Sequence, residues 1–456
     1  MLVTRTFLAT FFAVLSLLLT IPPSGAGAAG TYQLTGRRQP GELARIELTV
    51  QGGGELKLVA DDKTNKLPMS VTATLHYDEK VLPPKALDAS TPGGVRFYDK
   101  AEATIKVSKG GEKPTLRKDR CLVCVQRDAV GILLYSPHGP FTREELDLIE
   151  VPGNSLVIDD LLPTQPVAVG ATWKHSESVM AALLGLDAAS FTSAQSTLAT
   201  VENDVARSTM VGSVTGTVDG VSTEIEVKAK YNYNLRSKRI TWFALLVKEQ
   251  RSVGHVGPGV DAVTKLLMKI SPLSQSSQLE DPAIAAIAQQ PQQELSYRAP
   301  GGAYSLSYGR DWYVTGEERD LTILRLVEKG DLIAQCNISP IKSATAATPI
   351  TLAEFQRDIQ RSLGKSFGQF VHASHKPQAG GLHVFRVVAQ GETAQMPIQW
   401  IYYVIDNARG QRVSLSFTLE ASLAERFGQA DRLLAGSLQL AEPPVQAAAK
   451  PTATPK

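Results

Sequence analysis

Residues 400–440 carry the clearest alternation of apolar and polar positions in the chain, and they predict a β-hairpin leading into a helix. Trp400, Tyr402 and Val404 fall on one face and Ile401, Tyr403 and Ile405 on the other. Both faces are apolar, so this stretch predicts a central strand covered on both sides. Asp406, Asn407, Ala408, Arg409 and Gly410 are rich in residues that tolerate positive φ, and they reverse the chain. Val413, Leu415, Phe417 and Leu419 then alternate with Arg412, Ser414, Ser416 and Thr418, a strand with one polar side. Ser422 and Glu425 have capping-box spacing ahead of a helix with the stripe Leu423, Phe427, Ala430 and Leu434.

Residues 32–270 read mostly as antiparallel β. Residues 43–50 alternate, Gly52, Gly53 and Gly54 break the pattern, and residues 55–60 resume it, which predicts a hairpin. Residues 69–77, 95–107, 120–135 and 156–160 continue as strands. Residues 209–218, 222–233 and 239–250 are joined by Asp219-Gly220 and by Arg236-Ser237-Lys238, a meander of three strands. One helix stands out at 179–186, with Trp173 expected to plug the core beside it. The long strands predict a half-barrel or a sandwich.

Residues 271–296 are rich in Ser, Gln, Pro and Ala, and predict a linker between two domains, 29–270 and 297–441. The second opens with strands at 304–308, 322–328 and 334–340. Thr351 and Glu354 form another capping box, with Leu352, Phe355, Ile359 and Leu363 as the apolar stripe and Gly364 as its stop. A strand at 382–389 precedes the hairpin. Residues 442–456 are low in complexity and predict a disordered tail.

That order, with Tyr304, Tyr308, Gly309, Arg310, Asp311 and Trp312 at its start and Gly410 and the strand 413–418 near its end, resembles the Mog1/PsbP-like fold. The chain departs from the family at Gly309, where a proline is the family's residue. The resemblance implies an α/β/α sandwich over about a third of the chain, and an accessory rather than a catalytic role. In outline the first domain looks like the half-barrel of lipoprotein carriers. Fold analogy of this kind does not transfer a function.

With 456 residues, 43% of them hydrophobic, the chain is long enough for two ordinary cores. A net charge of +2, with no basic block among aromatics, points away from nucleic acid. Arg5, the apolar run 7–21, Pro22-Pro23 and the small residues 24–29 read as an export signal cleaved after Ala28. The run is short for a spanning helix, no cysteine follows it for a lipid anchor, and no later stretch predicts stable membrane insertion. The mature chain is therefore expected outside the cytoplasm, secreted or periplasmic.

Candidate chemistry is sparse. Cys121 and Cys124 have the C-x-x-C spacing of redox motifs, but their surroundings read as a strand, where residues three apart face opposite ways. Buried structural thiols or a minor disulfide are the favoured reading, and Cys336 is the only other cysteine. His372 and His375 would share a face on a helix, yet their stretch reads as a solvated loop without a third ligand. Glu144, Glu145, Asp147 and Glu150, with Asp159 and Asp160, read as a solvated acidic face rather than a hydrolytic carboxylate pair. Trp400, Tyr402 and Tyr403 read as core rather than a pocket. No catalytic, cofactor or metal residue is assigned. The expectation is a secreted, non-enzymatic accessory or scaffold protein with a protein or apolar small-molecule partner. Its alternatives are a lipid carrier and, behind it, a thiol oxidoreductase using Cys121 and Cys124.

Overall fold

Leu43–Ala60 forms one continuous strand of 18 residues, β1, and not the hairpin that its three glycines predict. Gly52, Gly53 and Gly54 stay in register with Val71, Ser70 and Met69 on one side and with Thr264, Val263 and Ala262 on the other. A side chain on Gly54 would overlap the backbone of Asp261 and Ala262, so glycine here serves close approach of the neighbouring strand. The computed structural model describes residues 30–441 apart from 37, 61–62, 84–92, 128–130, 281–292, 342–349, 379–380 and 408. The expected export signal, part of the expected linker and the expected tail lie outside the described residues.

The first part continues with β2 (Lys63–Val81), β3 (Gly94–Val107), β4 (Gly110–Glu112), β5 (Leu122–Arg127) and β6 (Ile132–Tyr135). Helix α1 (Arg143–Ile149), β7 (Thr172–Lys174) and helix α2 (Glu177–Leu184) follow. Then come β8 (Ala188–Thr192), β9 (Gln195–Glu202), β10 (Val205–Val218), β11 (Val221–Asn234), β12 (Arg239–Arg251) and β13 (Gly259–Leu273). They pair in the order β6-β5-β3-β2-β1-β13-β12-β11-β10-β9-β7, with β4 on β3 and β8 on β10. The β10–β11 turn uses Asp219 and Gly220 at φ 50° and 71°, the positive-φ pair that a tight two-residue hairpin needs. Residues 156–160 are not the expected strand. Ile158–Leu161 is a turn of 3-10 helix that buries Ile158 and Leu161.

The second part contains β14 (Leu295–Arg298), β15 (Tyr304–Tyr308), β16 (Trp312–Glu318), β17 (Leu321–Glu328) and β18 (Asp331–Pro340). Helix α3 (Leu352–Leu363) leads to β19 (Phe367–Gln378), β20 (Leu382–Thr393), β21 (Met396–Asn407) and β22 (Arg412–Glu420). Helices α4 (Ala424–Phe427) and α5 (Ala430–Ser437) and β23 (Gln439–Leu440) close it. Seven strands pair as β16-β17-β18-β22-β21-β20-β19, and β14, β15 and β23 make a small third sheet. The chain is thus a mostly antiparallel β protein with several open sheets and few helices.

Helix α3 has the expected capping box, with Thr351 and Glu354 bonding reciprocally. Its Ile359 packs with Val387 and Ala389 on one face of the seven-stranded sheet. Ile401, Tyr403 and Phe417 on the other face join Phe427 and Leu434 of α4 and α5. The central strand β21 is therefore covered on both sides, as its pattern predicts. Its closing helix differs: Ser422 donates to Glu420 instead of capping, and Gly428, at φ 56°, splits the helix in two.

One continuous hydrophobic cluster runs from Leu34 to Leu438. It includes Leu48, Leu75 and Phe243 of the large sheet, Leu146 and Met180 of α1 and α2, and Trp312, Ile401 and Phe417 of the second part.

Candidate functional site

A cavity of about 1960 Å³ lies where α1 and α2 of the first part meet β14 and β16 of the second. Helix α1 sets its chemistry. Thr142 caps the helix, its hydroxyl accepting from the Glu145 amide while Glu145 accepts from the Thr142 amide. Glu145 is buried and also receives Arg117, through Nε at 2.5 Å and Nη2 at 2.6 Å. Burial disfavours its charge, but the hydrogen bonds from Arg117 and Thr142 outweigh that and hold the carboxyl below the usual range. The expected solvated acidic face is corrected at this residue, whose partner Arg117 lies 28 positions away and is invisible to local reading. Asp160 likewise pairs with Arg127 at 2.6 Å. Asp159 is pushed up to about 6, by burial first, against the pull of Arg38.

Helical spacing sends Arg143, Asp147 and Glu150 the other way, into the cavity. The Arg143 guanidinium lies 4.7 Å from the centre of the Tyr313 ring and donates to the main-chain carbonyls of Arg310, at 2.7 Å, and Trp312, at 3.3 Å. Tyr313 donates to Asp219 at 2.7 Å. Arg310 donates to the carbonyls of Gln293, at 3.0 Å, and Leu134.

Asp147 and Glu150 are exposed to solvent and line the cavity. Enclosure by protein on most sides pushes Asp147 up to about 7. Arg143 opposes that, and Glu150, Glu144 and Asp219 reinforce it. Glu150 is raised for the same first reason, with Arg310 and Arg143 opposing. An apolar wall of Leu48, Leu75, Ile149 and Leu184 stands beside these charges.

The other residues singled out in the sequence lie elsewhere. Cys124 is buried, and Cys121, just before β5, is partly covered. Enclosure and the nearby Asp119 raise the Cys121 thiol above its ordinary value, the reverse of what an activated thiolate needs. Residues 372–375 are not a loop: they belong to β19, whose bulges near Phe367 and Phe370, with Lys376 and Pro377, blunt an edge strand against unwanted pairing. His375 instead meets His383 of β20, with Nε2 and Nδ1 3.2 Å apart. Among the described residues no group of three or more potential ligands is arranged for a metal ion. Trp400 and Tyr403 are core, and the Tyr403 hydroxyl donates to buried Asp431 at 2.7 Å.

Among the described residues one serine–histidine contact exists, Ser196 Oγ to His175 Nε2 at 2.7 Å. Ser196 is wholly buried and burial pushes His175 down to about 4, so the pair is a polar contact of the interior. Arg143 and Tyr313 were not singled out by sequence reading, and Asp219 was read only as a turn residue. The one available signal was Arg310 in the stretch that opens the second part.

No family model matches the chain, and no curated protein matches it by sequence. Solved structures give distant likenesses. The cyanobacterial PsbP protein CyanoP from Synechocystis sp. PCC 6803 is 12% identical over 32% of this chain and 92% of its own, with a TM-score of 0.27. A point mutant of Mog1 is 8% identical over 33% of this chain and 97% of its own, at 0.25. Lipovitellin, from a study of lipid–protein interactions, is 10% identical over 54% of this chain and 27% of its own, at 0.27.

Proposed function

We propose that the protein is a secreted accessory or scaffold factor of the cell envelope that works by binding rather than by catalysis, with the α1–β16 cavity as its site. The observation that carries this is the cavity itself. It is large, partly apolar and lined by charged groups. In the finer fold reading, residues 297–441 form an α/β/α sandwich of Mog1/PsbP type, supported by α3 on one face of the seven-stranded sheet and α4 and α5 on the other. Residues 29–270 are read as a half-barrel.

The second reading, a carrier of an apolar ligand, is favoured by the wall of Leu48, Leu75, Ile149 and Leu184. Native mass spectrometry of the full chain, purified gently from the cells that make it, tests both. The expected result is a bound mass that Ala188→Trp, on the exposed rim of the cavity, removes; a lipid mass selects the carrier. Turnover of a lipid, glycan or peptide substrate, abolished by a single change in the cavity, would overturn the binding reading.

A further inference from the structure

We infer that the cavity receives an extended peptide segment carrying basic side chains, which adds as a strand along the open edge of β16. This rests on the cavity being a binding site and goes beyond it by naming the occupant.

The edge is directly readable. Strand β16 is terminal in its sheet and pairs only with β17. The carbonyl of Asp311 accepts the Val327 amide on the β17 side, at 2.9 Å. The next carbonyl, that of Trp312, points the opposite way and accepts from Arg143. Carbonyls alternate along a strand, so Val314 turns its main-chain groups to the same open side; a bulge at Thr315 ends the alternation there, and Val314, Thr315 and Gly316 line the cavity. An extended peptide laid there finds main-chain donors and acceptors that the sheet does not use.

Size and charge narrow the occupant. Pockets for small molecules usually span about 300–1,000 Å³. At about 1960 Å³ this cavity has room for several residues of chain. Most of its arginines are already engaged, Arg143 and Arg310 on carbonyls, Arg127 on Asp160, Arg96 on Glu79 and Arg251 on Glu249, which leaves Arg298 at the exposed rim. The carboxylates of Asp147 and Glu150, one turn apart, have no hydrogen bond or ion pair among the described residues. Glu144 and Glu177 line the cavity beside them, so above pH 7, where Asp147 has given up its proton, these carboxylates outweigh Arg298 and the uncommitted charge facing the ligand is negative, which suits lysine or arginine side chains. An acyl chain filling the same space would strip water from both carboxylates without replacing it, a cost that a basic peptide avoids.

The test is fluorescence anisotropy with the full chain and two labelled eight-residue peptides, one alternating lysine with valine and threonine, the other with glutamate in place of lysine. The lysine peptide is expected to bind at least about tenfold more tightly. Asp147→Asn combined with Glu150→Gln should erase that preference while circular dichroism and the urea midpoint show an intact fold. A lysine peptide N-methylated at alternate residues should lose binding, because it cannot complete a ladder. No binding of the lysine peptide, equal binding of both peptides, or an unaffected methylated peptide would each overturn the inference. A bound lipid seen by mass spectrometry together with no peptide binding would overturn it while leaving the binding reading standing.

Discussion

Arg143 reaches out of α1 and donates to the main-chain carbonyl of Arg310 at 2.7 Å, so a side chain of the first part holds the start of β16 in the second. The same nitrogen serves Trp312, and the guanidinium covers Tyr313. Replacing it removes charge-assisted hydrogen bonds to carbonyls that have no other partner in view. Arg143→Ala is expected to lower stability by about 1–3 kcal/mol, read as a lower urea midpoint, and Arg143→Lys to recover only part of it.

A second group of charges is fully enclosed. Glu79 lies between Arg38 and Arg96, accepting from Arg96 Nε at 2.6 Å and from Ser155 Oγ at 2.7 Å. Burial disfavours its charge, but the two guanidinium groups prevail and hold it down to about 2. Glu79→Gln leaves two buried cations short of a counter-charge and should cost about 3–5 kcal/mol in urea unfolding. In the unmodified protein this contribution is present above the ordinary 4.5 and is lost as pH falls toward 2.

Asp147 has the opposite sign. Its folded value, about 7, lies above the ordinary 3.8, so between those limits the folded protein keeps a proton that the unfolded chain releases. The resulting stabilisation is complete below 3.8 and is lost as pH rises through 7. Asp147→Asn should flatten this slope. Urea midpoints at several pH values should fall more steeply toward neutrality in the parent than in the variant, and parallel curves would refute the assignment.

The thiols give a cheaper measurement. Cys124 and Cys336 are buried and only Cys121 is partly accessible. A thiol reagent should label Cys121 slowly in the folded protein and all three cysteines in denaturant. Rapid labelling of Cys121 together with Cys124 would revive the redox reading.

The elements that sequence reading located best depend on local rules. The Thr351 cap, the two-sided strand around Trp400 and the Asp219-Gly220 turn are all decided within a few residues of themselves. The failures depend on distant partners. Gly52–Gly54 read as a break because β13, some 200 residues on, was needed to show why glycine is required. The stretch around His372 and His375 read as a loop because bulges and a proline disguise an edge strand. The cavity was invisible for the same reason: nothing near Asp147 and Glu150 in the sequence tells that β14 and β16 line the same space.

The hydrophobic cluster that passes unbroken from Leu34 to Leu438 has a calorimetric consequence. Separately folded bodies joined by a tether melt in separate steps, whereas a shared interior ties their heat absorption together. A scanning calorimeter should therefore record one endotherm whose van't Hoff and calorimetric enthalpies agree, and a chain cut at residue 280 should expose the apolar side chains of α1 and α2 and bind a hydrophobic dye.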